Sequence, residues 1–107
     1  MYIPPKVIKK IVDRIDIIEF MKSCGVVMKA SCVSETLALC PFHKDTHPSL
    51  SINKKKKLYK CFACGASGNI FTFIRQKEGI TYFPDAVCRA AEFVGIDVFT
   101  GKEVKNG

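Results

Sequence analysis

The sequence predicts a small α+β fold, a short antiparallel β-sheet flanked by about four helices, on three observations. Apolar residues recur at helical spacing near both ends of the chain, and they alternate with polar residues in the middle. The pair Cys40-Pro41-Phe42-His43 is followed, after seventeen residues, by Cys61-Phe62-Ala63-Cys64. Two ligand pairs, each with two residues between its members, have the spacing of a tetrahedral site closed by three thiolates and one imidazole. The fold is therefore expected to be a zinc ribbon, with one structural Zn2+ held by Cys40, His43, Cys61 and Cys64. Gly65 fits the second knuckle, where the chain needs a residue free to take positive φ.

A length of 107 residues fits one domain, and 48% apolar residues supply a modest core. The hairpin between the ligand pairs is polar and lysine-rich. Zinc, whose binding is worth ~10–16 kcal/mol in small zinc-finger peptides, is expected to hold it folded. The six cysteines could instead form a disulfide framework outside the cell. Residues 1–5, however, are not a charged region leading into an apolar one, and no apolar run approaches the ~20 residues of a membrane span. The expected setting is reducing and cytoplasmic, with no membrane partner. The formal charge is +7, about +6 once three thiolates and a divalent zinc are counted. Such a balance favours polyanions, nucleic acid among them, although a merely solvated surface would have the same composition.

Taken in order, Pro4 and Pro5 can start a helix whose apolar stripe is Val7, Ile8, Ile11 and Ile15, with Lys6, Lys9, Lys10 and Asp13 opposite. Asp16 opens a second helix as a capping box with Glu19; Ile17, Phe20, Met21 and Cys24 form its stripe, and Gly25 stops it. Cys24 is read as a buried thiol. Short strands are expected over residues 26–28 and 36–39, the second with Leu37 and Leu39 on one face, joined by a polar turn over residues 31–35. A further pair, residues 48–52 and 58–61, flanks a turn at 53–57. Residues 65–69 read as a loop feeding a third helix capped by Asn69, with Ile70, Phe73 and Ile74 inside and Gly79 at its end. Backbone N–H groups there could hold a phosphate, or the glycines could simply turn the chain away from the metal. A fourth helix starts near Thr81, carries Pro84 in its first turn and runs to Gly95, with Ala86, Val87, Ala90 and Val94 inside; Cys88 is read as a helix thiol without chemistry. Cys32 and His47 are spare ligand candidates. Cys32 lacks a partner two residues away, and Pro48 disfavours the helix that a His43/His47 pair would need.

Around one hairpin stand Lys54, Lys55, Lys56, Lys57 and Lys60, interleaved with Tyr59 and Phe62. Single-strand binders combine such cations with aromatic faces on which bases stack. Strand alternation puts Tyr59 and Lys60 on opposite sides, so one of the two is expected to be structural, and Phe62 could equally shield the metal. The lysines rank first as DNA contacts. An enzyme fits these residues poorly. A catalytic zinc keeps a position for water and a deaminase adds a His-x-Glu, whereas four ligands close this shell. A thioredoxin-like Cys-x-x-Cys would start a helix and need no upstream pair. The ten acids are scattered, so no carboxylate cluster for magnesium is formed, and the chain by itself is expected to be non-catalytic.

Cys40-Pro41-Phe42-His43, Pro48-Ser49-Leu50, Tyr59-Lys60-Cys61-Phe62-Ala63-Cys64-Gly65, Gly68-Asn69 and Phe83-Pro84-Asp85-Ala86-Val87 resemble the N-terminal zinc-binding domain of bacterial DNA primases, a CHC2-type zinc ribbon. Ile3-Pro4 and Arg14-Ile15-Asp16-Ile17-Ile18 are similar too, so the likeness covers residues 3–98. The resemblance implies a module that contacts single-stranded DNA template and helps select where RNA primer synthesis starts in DNA replication. It implies as partners a primase polymerase domain, in cis or in trans, and through other domains the replicative helicase. The full protein would then be a nucleotidyltransferase. The alternative is a ribbon that docks on the polymerase domain or another replication protein without touching DNA. Residues 30–36 lack the glycine and Asn-Tyr pair usual before the first knuckle, and Lys44-Asp45-Thr46-His47 stands for the usual Glu-Lys-Thr. These departures spare the ligands and leave two origins open, a housekeeping primase or a plasmid, phage or mobile-element relative. Residues 1–98 form the expected domain, with the ribbon core at 36–68 and a linker or disordered tail at 99–107.

Overall fold

Proline determines where the first helix begins: with Pro4 at the N-cap and Pro5 inside the first turn, where a missing N–H leaves no bond unmade, α1 spans Pro5–Arg14 and buries Val7 and Ile11. The computed structural model describes residues 2–32, 34–44 and 46–104. Helix α2 (Ile17–Ser23) follows at once, because Asp16 turns its carboxylate onto the N–H groups of Ile18 and Glu19. The Glu19 carboxylate lies 3.5 Å from the Lys22 ammonium. Cys24 and the positive φ of Gly25 then end the helix.

Strands β1 (Met28–Ser31), β2 (Glu35–Ala38), β3 (Leu50–Asn53), β4 (Leu58–Cys61) and β5 (Ser67–Asn69) form one antiparallel sheet in sequence order. Thr36, Ala38, Leu50, Ile52, Tyr59 and Cys61 are buried on one face. The other face presents Glu35, Leu37, Ser51, Asn53, Leu58 and Lys60. Two expectations change here, and one holds with a qualification. The first strand starts at Met28 instead of Val26: Val26 is buried just after the turn, and Val27 contributes only its carbonyl, to Leu39 N–H. Leu37 and Leu39 do share a face, but it is the less buried one, since the phase that turns Cys40 inward carries Ala38 and Thr36 with it. The loop expected at 65–69 contains β5, in which Gly68 pairs with Tyr59. Ser-Gly-Asn has no strand propensity, and its pairing is imposed by β4.

Asn69 caps α3 (Ile70–Glu78), and α4 (Phe83–Val94) packs against it. Ala86, Val87, Ala90 and Ala91 are all buried, small side chains that let the two helices approach closely. Phe20, Phe73 and Phe93 meet edge to face between the helices, and Phe73 reaches Tyr59 and Phe42 on the sheet side. The segment expected as a linker or tail is described as far as Val104, and there it folds back. Ile96 bridges Glu103, Asp97 caps a turn at Phe99 and Thr100, and Gly101 and Glu103 meet Lys10 and Arg14 of α1. Residues 105–107 lie outside the described residues.

Gly68 holds the tightest approach. A Cβ there would stand 2.5 Å from that of Thr72, at a φ of +150° that L side chains rarely adopt. The variant Gly68→Ala is expected to lose ~1–3 kcal/mol, the usual cost of overpacking, read as a lower urea midpoint.

Candidate metal centre and open sheet face

The four residues of the two Cys/His pairs come together: one ligand atom from each of Cys40, His43, Cys61 and Cys64 lies within 4.8 Å of all the others. Cys40 stands two residues beyond β2 and keeps its inward phase, and Cys61 closes β4, so both are buried. His43 is half-buried and Cys64 exposed, at the rim. The sulfurs of Cys40 and Cys64 are 3.7 Å apart, and His43 Nε2 is 3.3 Å from Cys61 Sγ. Around one tetrahedral zinc, with bonds to sulfur of ~2.3 Å, ligand sulfurs stand ~3.8 Å apart. Three sulfurs and one imidazole at this spacing fit that ion.

Neighbouring groups orient the donors. His43 Nδ1 is 3.2 Å from the Lys44 carbonyl; an N–H donated there leaves the Nε2 lone pair facing the sulfurs. The Phe42 amide donates to Cys40 Sγ, and the amides of Cys64 and Ala63 donate to Cys61 Sγ. Burial, with the neighbouring Cys61 and Cys64 thiols, pushes Cys40 up to about 12. At Cys61 burial also works against the thiolate, but hydrogen bonds from Ser49 and from the Cys64 and Ala63 amides outweigh it and hold the thiol down at about 6. A divalent cation among the four turns their mutual repulsion into attraction.

The other thiols and the second histidine stand apart from the group. Cys32 and His47 are exposed. Cys24 and Cys88 are half-buried, and burial together with Asp85 raises the Cys88 thiol, which suppresses its reactivity. None of the six cysteines is in a disulfide. The α3 N-terminus offers little to a phosphate, because Asn69 Oδ1 already accepts from the N–H groups of Phe71 and Thr72, each at 3.0 Å.

The seven residues expected at DNA divide into two groups. Lys54, Lys55 and Lys56 are exposed at the β3–β4 tip, and Lys60 and Phe62 are exposed on the open face, the Lys60 ammonium 5.5 Å from the Phe62 ring centroid. Phe62 is 71% exposed, so it does not shield the metal. Tyr59 is a correction. It is only 3% exposed, its ring packs on Phe42 and Phe73, and its hydroxyl donates to Gln76, so it offers no face to a base. Burial pushes its phenol up to about 12, with the Cys40 and Cys64 charges adding to the rise. Lys57 is another correction: half-buried at a φ of +56°, it donates its ammonium to the Val12 carbonyl of α1. Lys54 lies 3.4 Å from Ser31 Oγ but stays exposed.

Sequence reasoning missed the trough beside these groups, a depression of about 480 Å³ whose lining includes Glu35, Ser51, Asn53, Leu58, Lys60 and Phe62. Its signal was present in the polar alternates Ser51 and Asn53 of a strand whose other residues are apolar.

Comparison with known proteins bears on this geometry. Residues 3–106 match the family model described as CHC2 zinc finger. The chain is 40% identical over 96 residues to a DNA primase of Thermotoga maritima, covering 90% of this chain and 16% of that protein. It is 40% identical over 80 residues to a DNA primase of Halalkalibacterium halodurans, covering 75% and 13%. Among solved structures it resembles part of the Aquifex aeolicus primase structure, which contains zinc-binding and RNA polymerase domains, with a TM-score of 0.73 and 27% identity over 88% of this chain and 23% of that one. The chain thus spans about a sixth of the Thermotoga relative.

Metal analysis is expected to find one zinc per chain. Cys61→Ser and His43→Ala should abolish it and Cys32→Ser and His47→Ala should not; a zinc-free His47→Ala protein would mean that the ligand set is different.

Proposed function

This chain belongs to the CHC2 zinc-finger family of bacterial DNA primases, and from that premise we propose that it is the module that recognises single-stranded template and helps select where primer synthesis starts. Cys40, His43, Cys61 and Cys64 hold the zinc. With all four positions taken by protein, the ion has none left for water, and its role is to hold the ribbon's shape. Residues 1–98 form the module, with the segment to Val104 folded back onto its first helix. Its partners are the template and a primase polymerase domain, in the same chain or separate, with the helicase reached through other domains, all in the cytoplasm. Among the described residues no helix is long and apolar enough to cross a membrane.

The observation that carries this reading is the uncovered sheet face. Beside the exposed ring of Phe62 stand Lys60 and, at the hairpin tip, Lys54, Lys55 and Lys56. Phosphates can track the cations while a base stacks on the ring. The backbone that carries them is tied to the metal centre, since Phe62 N–H bonds Ser49 O and Gly65 N–H bonds Cys61 O. Zinc thereby sets the angle of a DNA-facing surface without touching DNA.

Anisotropy titration of a labelled oligo(dT) on the zinc-loaded chain tests it. Neutralising about three phosphates on a single strand gives log K against log salt a slope of roughly −2. Replacing Lys54, Lys55 and Lys56 together by Ser should weaken binding and flatten that slope, whereas Phe62→Ala should cost ~1–3 kcal/mol with the slope kept. Salt-insensitive binding, or a triple variant that keeps its zinc and binds like the parent, would favour a surface that docks on protein.

A further inference from the structure

One charge on the open face has the wrong sign for phosphate. Glu35, at the start of β2, lines the trough together with Lys56 and Lys60, its side chain is exposed, and it is in no ion pair among the described residues. The ladder places it. Glu35 pairs with Asn53 and Asn53 with Leu58, while one row along Leu37 pairs with Ser51, Ser51 with Lys60 and Lys60 with Ser67. Directly opposed residues share a face, so Glu35 and Asn53 form one end of the trough. Phe62 lies beyond Lys60 at the other end. The corners are separated by two strand spacings, about 10 Å, and by four residues of rise, about 13 Å, room for a base at each corner of a short single strand.

We propose that Glu35 is a specificity-determining residue that selects, among template bases, one bearing an exocyclic amino group, such as cytosine N4. The proposal rests on the reading of this face as a template surface. A carboxylate in a cationic trough repels a phosphate, and it meets thymine badly, because thymine's one donor, N3–H, lies between the acceptor oxygens O2 and O4, which repel the second carboxylate oxygen. It accepts readily from an amino group; carboxylate to cytosine N4 is a common direct contact. Asn53 beside it supplies both a donor and an acceptor, although its Oδ1 already accepts from Lys56 N–H at 2.8 Å, which leaves its amide N–H groups for a base carbonyl. Phe62 at the far corner stacks on any base. Phosphate-tracking lysines, a tolerant aromatic and one selective carboxylate therefore divide affinity from choice.

The test compares oligo(dT) with the same strand carrying a short central run of dC, titrated against the zinc-loaded parent, Glu35→Ala and Lys60→Ser. The parent is expected to bind the dC-containing strand several-fold tighter, in line with the energy of a base-edge contact. Glu35→Ala should erase that preference by weakening the dC strand and strengthening oligo(dT), whereas Lys60→Ser should weaken both strands in equal proportion. Equal binding of the two strands by the parent, or a preference that survives Glu35→Ala with zinc content and urea midpoint unchanged, overturns the role of Glu35 and leaves the template reading standing. No binding of either strand by the parent overturns both.

Discussion

Four side chains from two ends of one hairpin converge within 4.8 Å, and the rest of the molecule is arranged around that convergence. Cys40, two residues beyond β2, and Cys61, at the end of β4, are buried donors, so the same alternation that brings them inward also orients the sheet's inner face against the helices. The knuckle residue Phe42 touches Tyr59 and Phe73, and Phe73 in turn touches Phe20. Metal centre and apolar core are thus continuous, with an aromatic chain as the join. A 107-residue chain with so polar a hairpin depends on the metal more than its helices do, since metal binding and folding are one free energy at such a site.

The sheet has one packed face and one open face. Tyr59 and Lys60 are neighbours in sequence, yet one is packed against α3 and the other faces solvent. Lys57 shows a similar division among the turn lysines: its ammonium ties the hairpin tip to the last turn of α1, where carbonyls lack intrahelical partners. Three lysines remain exposed beside it. The helices form the platform on which the hairpin stands, while the 97–104 segment closes the far side by returning to α1.

Much was legible because local rules agreed with the fold. Proline at the start of α1, Asp16 and Asn69 as N-caps, and glycines after α2, α3 and α4 all act within a turn of their own position. The ligand set was legible because chelation requires close spacing within each knuckle. β5 was not, since a three-residue Ser-Gly-Asn strand exists only by pairing with β4, and pairing between distant residues leaves no periodic trace. The fold-back of residues 97–104 escaped for the same reason: its partners lie about ninety positions away.

What the sequence by itself determined was the metal, its four ligands, the helices and the basic hairpin, because each depends on residues a few positions apart. The tertiary structure alone decided which members of that hairpin face outward. Burying Tyr59 against Phe73 and drawing Lys57 onto α1 are contacts between elements, and a ring or an ammonium engaged in such a contact is no longer available to a ligand. The same packing left Glu35, Lys60 and Phe62 together on an uncovered face, a grouping that no local pattern in the sequence announces.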